Sequence, residues 1–141
     1  MTPDQIREFF AAQERHWRER NPAALAEGHS AHGTIVSPIF RTVTGTNEIA
    51  ASYRALFEMF PDWDYRAEPL LVDGDRVAQP FDVTATHQGE FMGIPGSGKR
   101  VTIQGVRLFT MNDGRIEHER RYYDFTGLLI QLGVIRGKPG R

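Results

Sequence analysis

The chain has 141 residues, the length of one domain that can enclose a core and a small-molecule cavity together. Hydrophobic residues make up 40% and charged residues 25%, with a formal net charge of -1, which argues against a nucleic-acid binder because such proteins carry a basic excess. The absence of cysteine excludes disulfides, thiolate metal sites and a cysteine nucleophile.

The start of the chain is polar, and it predicts a helix rather than a targeting segment. No apolar run approaches the roughly 20 residues that a membrane span requires. We therefore expect a soluble cytoplasmic protein with no membrane partner.

The first predicted helix begins at Thr2, whose hydroxyl suits an N-cap, followed by Pro3 at the first helical position. Asn21-Pro22 ends this helix and a short helical turn over 23–25 follows. One face of the helix covers a core, because apolar residues recur there at helical spacing: Ile6, Phe9, Phe10 and Trp17.

A short strand over 34–37 precedes the second long helix, which Thr46 is predicted to cap. Pro61-Asp62 closes this helix. Its apolar stripe consists of Ile49, Tyr53, Leu56, Phe57 and Phe60.

Everything from 63 to 124 reads as strands and turns, with hairpin turns at Asp73-Gly74 and at Asn112-Asp113-Gly114. These residue types tolerate the positive φ of such turns. The predicted strands are consecutive and antiparallel, and they span about 64–72, 76–87, 100–111 and 115–123.

Asp124 or Thr126 is predicted to cap a short C-terminal helix that stops at Gly133. Helices followed by an antiparallel meander predict an α+β fold over residues 1–135, with a curved, mostly antiparallel sheet wrapped over the N-terminal helices. Residues 136–141 are expected to form a flexible tail.

Polar side chains are dense on one face of the last predicted strand. If that strand is regular, Ile116, His118, Arg120, Tyr122 and Asp124 share this face. Such a face either meets water or lines a cavity.

Asp124 has two alternative roles. In an apolar cavity its carboxylate loses solvation, which raises the pKa of the group toward a value that suits proton transfer. Alternatively it caps the helix by accepting the N–H of Thr126 or Gly127.

His87 stands at the end of a strand and could relay a proton or orient a carbonyl, or simply contact water. Gln104 and Arg107 are donors that could hold a substrate or an enolate oxygen, as are Arg120 and Tyr122, although a solvent or interface role suits the arginines as well. A three-residue turn would place Gln104 opposite Tyr122, and a two-residue turn would place Arg107 opposite Arg120.

Trp63 and Phe91 could line the mouth of a cavity or belong to a plain core. His29 and His32 are three residues apart, but without a placed carboxylate they make no metal site. We therefore predict no metal.

Short motifs in a specific order resemble the SnoaL-like polyketide cyclases of the nuclear-transport-factor-two-like superfamily. In chain order these motifs are Phe60-Pro61-Asp62, Asp73-Gly74-Asp75-Arg76-Val77, Thr86-His87-Gln88-Gly89, Gly93-Ile94-Pro95, Gly98-Lys99, Asp113-Gly114-Arg115-Ile116 and Asp124…Gln131-Leu132-Gly133.

The resemblance implies a cone-shaped fold, a homodimer or larger homo-oligomer, and an intramolecular aldol ring closure without metal or organic cofactor. It also implies that the acid/base lies in Tyr123-Asp124-Phe125. The sequence hypothesis is therefore a cyclase-like or isomerase-like enzyme acting on an aromatic or hydrophobic carbonyl compound, in which Asp124 moves the proton while His87 and Gln104 polarise or position the carbonyl.

Two alternatives to this hypothesis remain. Epoxide or ester hydrolysis would require Asp82 or Glu119 to point inward with an arginine onto one water. A non-catalytic ligand-binding or dimerising module would leave Asp124 as a solvent-facing cap.

Overall fold

Four helices and seven strands form the part of the chain that the computed structural model describes, residues 1–136. In chain order they are α1 (Pro3–Glu19), α2 (Pro22–Glu27), β1 (His29–Ser37), β2 (Arg41–Thr44), α3 (Thr46–Met59), β3 (Asp64–Ala67), β4 (Leu71–Asp73), β5 (Arg76–Thr86), β6 (Arg100–Asn112), β7 (Arg115–Tyr123) and α4 (Phe125–Leu132). The predicted tail lies outside the described residues except for Arg136.

The strands form one mixed sheet in the order β2-β1-β7-β6-β5-β3, with β4 also paired to β5. Every pairing is antiparallel except that of β1 with β7, which is parallel. The curved sheet and the four helices confirm the predicted α+β class.

The helix starts confirm one predicted N-cap and contradict another. Thr2 accepts the N–H of Gln5 while the Gln5 side chain accepts that of Thr2, a complete capping box at the start of α1. The predicted cap at Thr46 is wrong, because Gly45 is the N-cap of α3 at φ 86° and no side chain caps that helix.

The first half holds a longer β1 than predicted and an additional strand, β2, while the run predicted at 64–72 is split into β3 and β4. Pro69 lies in the break between β3 and β4, where a missing N–H costs no ladder hydrogen bond.

The hairpin between β6 and β7 contains the feature that decides the site. A two-residue turn at Asp113-Gly114 pairs Asn112 with Arg115, and the ladder then steps from Met111↔Ile116 directly to Thr110↔His118. Glu117 is therefore an extra residue in β7, a β-bulge that reverses which side chains face inward.

Beyond this bulge Glu119, Arg121 and Tyr123 point to the concave face, and His118, Arg120 and Tyr122 point to the outer face. The predicted common face is therefore interrupted at Glu117: Ile116 points inward, whereas His118, Arg120 and Tyr122 do share one face, the outer one. Both predicted registers are wrong as well: Val106 lies opposite Tyr122, and Arg107 lies opposite Arg121.

The buried side chains form a large cluster between the helices and the concave sheet face, and a smaller one beside the start of α1. Within residues 1–136, no helix has the length and apolar character needed to cross a membrane.

Candidate functional site

A mostly apolar cavity opens between the concave sheet face, α1 and α3. Its free volume of about 30 Å³ is room for one or two waters. Its apolar wall includes Trp17, Leu56, Trp63, Phe81 and Ile103, and Ile39 and Phe40 stand where it meets a neighbouring groove.

The polar part of the cavity wall comes from β1, β3, β6 and β7. It consists of Ser37, Tyr65, Arg107, Arg121 and Tyr123. The charged residues that line this cavity are therefore both arginines.

Glu119 lies behind the two arginines and is fully buried. Arg107 grips it with a two-pronged contact, Nε to Oε2 at 2.8 Å and Nη2 to Oε1 at 3.1 Å. Arg121 donates its Nε to the same Oε2 at 2.5 Å. One carboxylate thus joins two neighbouring strands whose opposed arginines would otherwise repel each other.

The three charges fix one another's protonation. Burial alone would raise the pKa of the Glu119 carboxyl, but Arg107 and Arg121 outweigh it and hold that pKa well below its usual range. Burial alone would likewise lower the pKa of Arg107, but the charge of Glu119 raises it. Glu119 is consequently ionised at neutral pH and is a poor proton acceptor.

Two tyrosines and a histidine surround this cluster. Arg107 donates Nη1 to the Tyr65 hydroxyl at 3.1 Å, and Tyr65 donates to Gln79 Oε1 at 2.7 Å. Arg121 donates Nη2 to the Tyr53 hydroxyl at 2.9 Å. Burial raises the pKa of both tyrosines, so both phenols stay protonated.

His29 is buried with its Nε2 3.5 Å from the Tyr53 hydroxyl and 3.8 Å from Glu119 Oε1. The Tyr53 hydroxyl also accepts from Arg121 Nη2, so it connects the histidine to the charged cluster. Burial lowers the pKa of His29 to about 4. His32, by contrast, is exposed, and the two histidines do not form a pair.

The two guanidinium groups lie over the faces of aromatic rings. Arg107 lies over Phe109 at 4.7 Å and over Trp17 at 5.2 Å, and Arg121 lies over Tyr53 at 5.3 Å. These contacts reduce the cost of burying the two cations.

Asp124, the predicted acid/base, does not line the cavity. It is exposed and caps α4, accepting the N–H of Gly127 on Oδ1 at 2.8 Å. The sequence alternative of a helix cap therefore describes its position, and its catalytic role stays a prediction.

His87 is fully buried outside the cavity. Its Nδ1 lies 2.9 Å from the Ser97 hydroxyl, and its ring packs near Phe60 and Phe91. This position fastens the 88–99 loop to the end of β5, and a part in proton transfer stays a prediction.

The remaining predicted site residues are divided between the two faces. Arg107 and Trp63 line the cavity, whereas Phe91 is buried beside the neighbouring groove. On the outer face, Arg120 donates to His118 Nε2 at 3.3 Å and to the Tyr122 hydroxyl at 3.2 Å.

Gln104 is also outside the cavity; it is exposed and lies opposite Asp82. The residues that sequence reasoning missed as site components are Arg121, Tyr65 and Trp17, together with His29. The one available signal in the sequence was the charged run Glu119-Arg120-Arg121. Which of these side chains point inward depends on the bulge at Glu117.

Comparisons with known proteins agree with this architecture. A family model described as SnoaL-like polyketide cyclase matches residues 5–132. No curated protein matches the chain at a significant level.

Several solved structures share the fold. A SnoaL-like protein from a Jannaschia species is 25% identical, with a TM-score of 0.81, 96% of this chain and 97% of that chain covered. AclR from Streptomyces galilaeus is 24% identical, with a TM-score of 0.83 and coverages of 98% and 87%. TsrD from Streptomyces laurentii is 21% identical, with a TM-score of 0.83 and coverages of 96% and 99%.

The match of the family model over most of the chain agrees with the shared fold. The chain belongs to the SnoaL-like polyketide cyclase family.

Proposed function

We propose that this protein is a small-molecule enzyme that acts on a carbonyl compound without an organic cofactor. The observation that carries the proposal is the pair Arg107 and Arg121, which supplies the charge of a mostly apolar cavity wall. A carbonyl oxygen gains negative charge as an enolate forms. Fixed donors in a site that excludes water stabilise that charge strongly.

The substrate enters by moving side chains at the mouth. The free volume of about 30 Å³ does not hold a ring, so Ile39 and Phe40, which are only partly buried, must turn outward. They follow β1 in a tight turn in which Ser37 accepts the Phe40 N–H at 3.2 Å. The apolar wall behind them suits an aromatic or hydrophobic substrate.

A hydrolase is supported less well. An acid and arginines do converge, as that alternative requires, but Glu119 accepts hydrogen bonds on both oxygens and is a weak base. Asp82 is exposed, opposite Gln104. Neither carboxylate is free to activate a water in the cavity.

The proton acceptor in this proposal is a hydroxide ion drawn from solvent into the positively charged cavity, which leaves as water once it has taken the α-proton, because the lining contains no carboxylate. Such an acceptor suits a substrate whose α-proton is already acidic. Asp124, which directly follows the lining residue Tyr123, is the alternative acceptor that the family resemblance implies.

The test is α-proton exchange in heavy water, followed by proton NMR on a benzyl ketone such as phenylacetone. We expect the protein to accelerate exchange, and Arg121→Met to reduce the acceleration by roughly 10²-fold, as for the loss of one oxyanion donor. The matched control is Arg120→Met on the outer face, which we expect to behave as wild type.

Asp124→Asn separates the two proton acceptors. Asparagine caps a helix about as well as aspartate, so the fold is preserved while the base is removed. We expect exchange to be retained; its loss in a folded variant would assign the proton to Asp124. Binding of the ketone without any exchange would instead favour the ligand-binding module.

A further inference from the structure

The buried polar cluster does not balance its own charge. Arg107 and Arg121 contribute two positive charges, and Glu119 is the carboxylate that contacts them. Their side chains are 3%, 10% and 0% exposed, so water screens the excess charge poorly. Buried charges in proteins are paired, and an unpaired one is costly.

No other described group at the cluster supplies the missing negative charge. His29, Tyr53 and Tyr65 contact the three charged side chains, and each is neutral in this arrangement. Tyr123, which lines the cavity beside Arg121, also stays protonated, since burial raises its pKa to about 12.

The cavity wall also has more donors than acceptors. Arg121 uses Nε and Nη2 within the cluster, and its Nη1 donates to none of residues 1–136. The indole N–H groups of Trp17 and Trp63, both lining residues, are buried and likewise find no acceptor in the described chain. A ligand that only accepts hydrogen bonds would fit this wall.

We infer that the ligand of this cavity is a carboxylate, which Arg121 binds through its free Nη1 while an apolar body lies against the tryptophans. The inference rests on the proposed function of the cavity and narrows it to a carbonyl compound that bears a carboxylate. One negative charge balances the net charge of the cluster, whereas a phosphate monoester would carry about two at neutral pH.

The charge of such a ligand contributes more binding free energy in this buried site than it would at the protein surface. Hydrogen bonds between two charged groups are about twice as strong as neutral ones, so the contact between Nη1 of Arg121 and a ligand carboxylate gains from the charge of both partners. The ligand would thereby complete a cluster that has only one carboxylate of its own.

The experiment compares acids with their neutral isosteres on the intact chain. Benzoate and benzamide form one pair, hexanoate and hexanamide another, so each pair differs in charge and little in shape. Both tryptophans of the chain line the cavity, so their fluorescence reports occupancy directly. We expect each acid to bind roughly 10- to 100-fold more tightly than its amide.

Variants at two neighbouring arginines show which side chain causes the preference for acids over amides. Arg121→Met should abolish the preference for the acids, and Arg120→Met should leave it intact. If Arg121→Met does not fold, Arg121→Lys keeps the charge but lacks the guanidinium group that can contact Glu119, Tyr53 and the ligand at the same time, and it should retain only part of the preference.

The outcomes separate the two proposals. Amides that bind as tightly as the acids overturn the carboxylate inference and leave the carbonyl enzyme standing. An acid preference that Arg120→Met removes and Arg121→Met does not overturns the location. Failure of every acid and amide to bind overturns the inference, and only an accompanying absence of ketone exchange would count against the proposed function.

Discussion

His29 is buried, and a proton bound to its imidazole would lie close to two arginines and one carboxylate. Its pKa in the folded chain is about 4, below the ordinary value of 6.5, with burial as the main cause. The unfolded chain therefore takes up this proton at a higher pH than the folded chain does. Folding stability from this residue is complete above pH 6.5 and is lost as the pH falls toward 4.

We accordingly predict that His29→Gln flattens the dependence of unfolding free energy on pH. In the wild type the residue accounts for about 3 kcal/mol over the whole window, at about 1.4 kcal/mol per pH unit. Urea unfolding between neutral pH and about pH 5, above the range where Glu119 gains a proton, measures the slope. His32→Gln, at an exposed position, is the control, and an equal slope in His29→Gln and wild type would refute the assignment.

Strand β7 shows how one extra residue sets the chemistry of a whole element. The bulge at Glu117 turns Glu119 and Arg121 inward and leaves Arg120 outside. Without it, the same sequence would bury a different set of charges. The unusual content of the cavity wall is thus a consequence of backbone register.

Deleting Glu117 tests this account. The pairs Met111↔Ile116 and Thr110↔His118 then follow each other directly, so regular alternation still places Glu119 and Arg121 on the concave face. We therefore expect the deletion variant to unfold cooperatively in urea, within about 1–2 kcal/mol of wild type. Loss of cooperative unfolding would contradict this account. Glu117→Ala, at the same exposed position, should stay within about 0.5 kcal/mol of wild type.

Sequence reasoning succeeded where local signals decide the structure. The N-cap at Thr2 and the glycine turns at Gly74 and Gly114 follow from single residues, and the extents of β5 to β7 follow from their apolar runs and the turns between them. It failed at the site because nothing local marks the bulge, and one slip in β7 exchanges Arg120 for Arg121. Asp124 was predicted as the acid/base, although its position at the start of α4 is explained equally well by a helix cap.

At the scale of the whole molecule, four helices cover one face of the sheet and the cavity lies between the two layers. The α+β class could be predicted from the order of the elements alone. The parallel pairing of β1 with β7 could not, because it depends on contacts between the two ends of the chain.

The resemblance to SnoaL-like proteins also implies a homodimer, which stays a prediction for this chain. Light scattering coupled to size-exclusion chromatography should give twice the chain mass. A single-chain mass at every concentration tested would contradict the prediction. The same measurement on Arg121→Met and Arg120→Met shows whether either change acts on assembly rather than on the cavity.

The arginine pair and Glu119 are at once part of the folded core and part of the cavity wall. Selection for new substrates cannot easily alter these residues, since most changes there would cost the fold itself. Adaptation should instead concentrate at Ile39 and Phe40, which border the cavity without supporting its charges. Proteins that evolve from this one are therefore expected to keep the arginine pair and Glu119 and to differ from one another at Ile39 and Phe40.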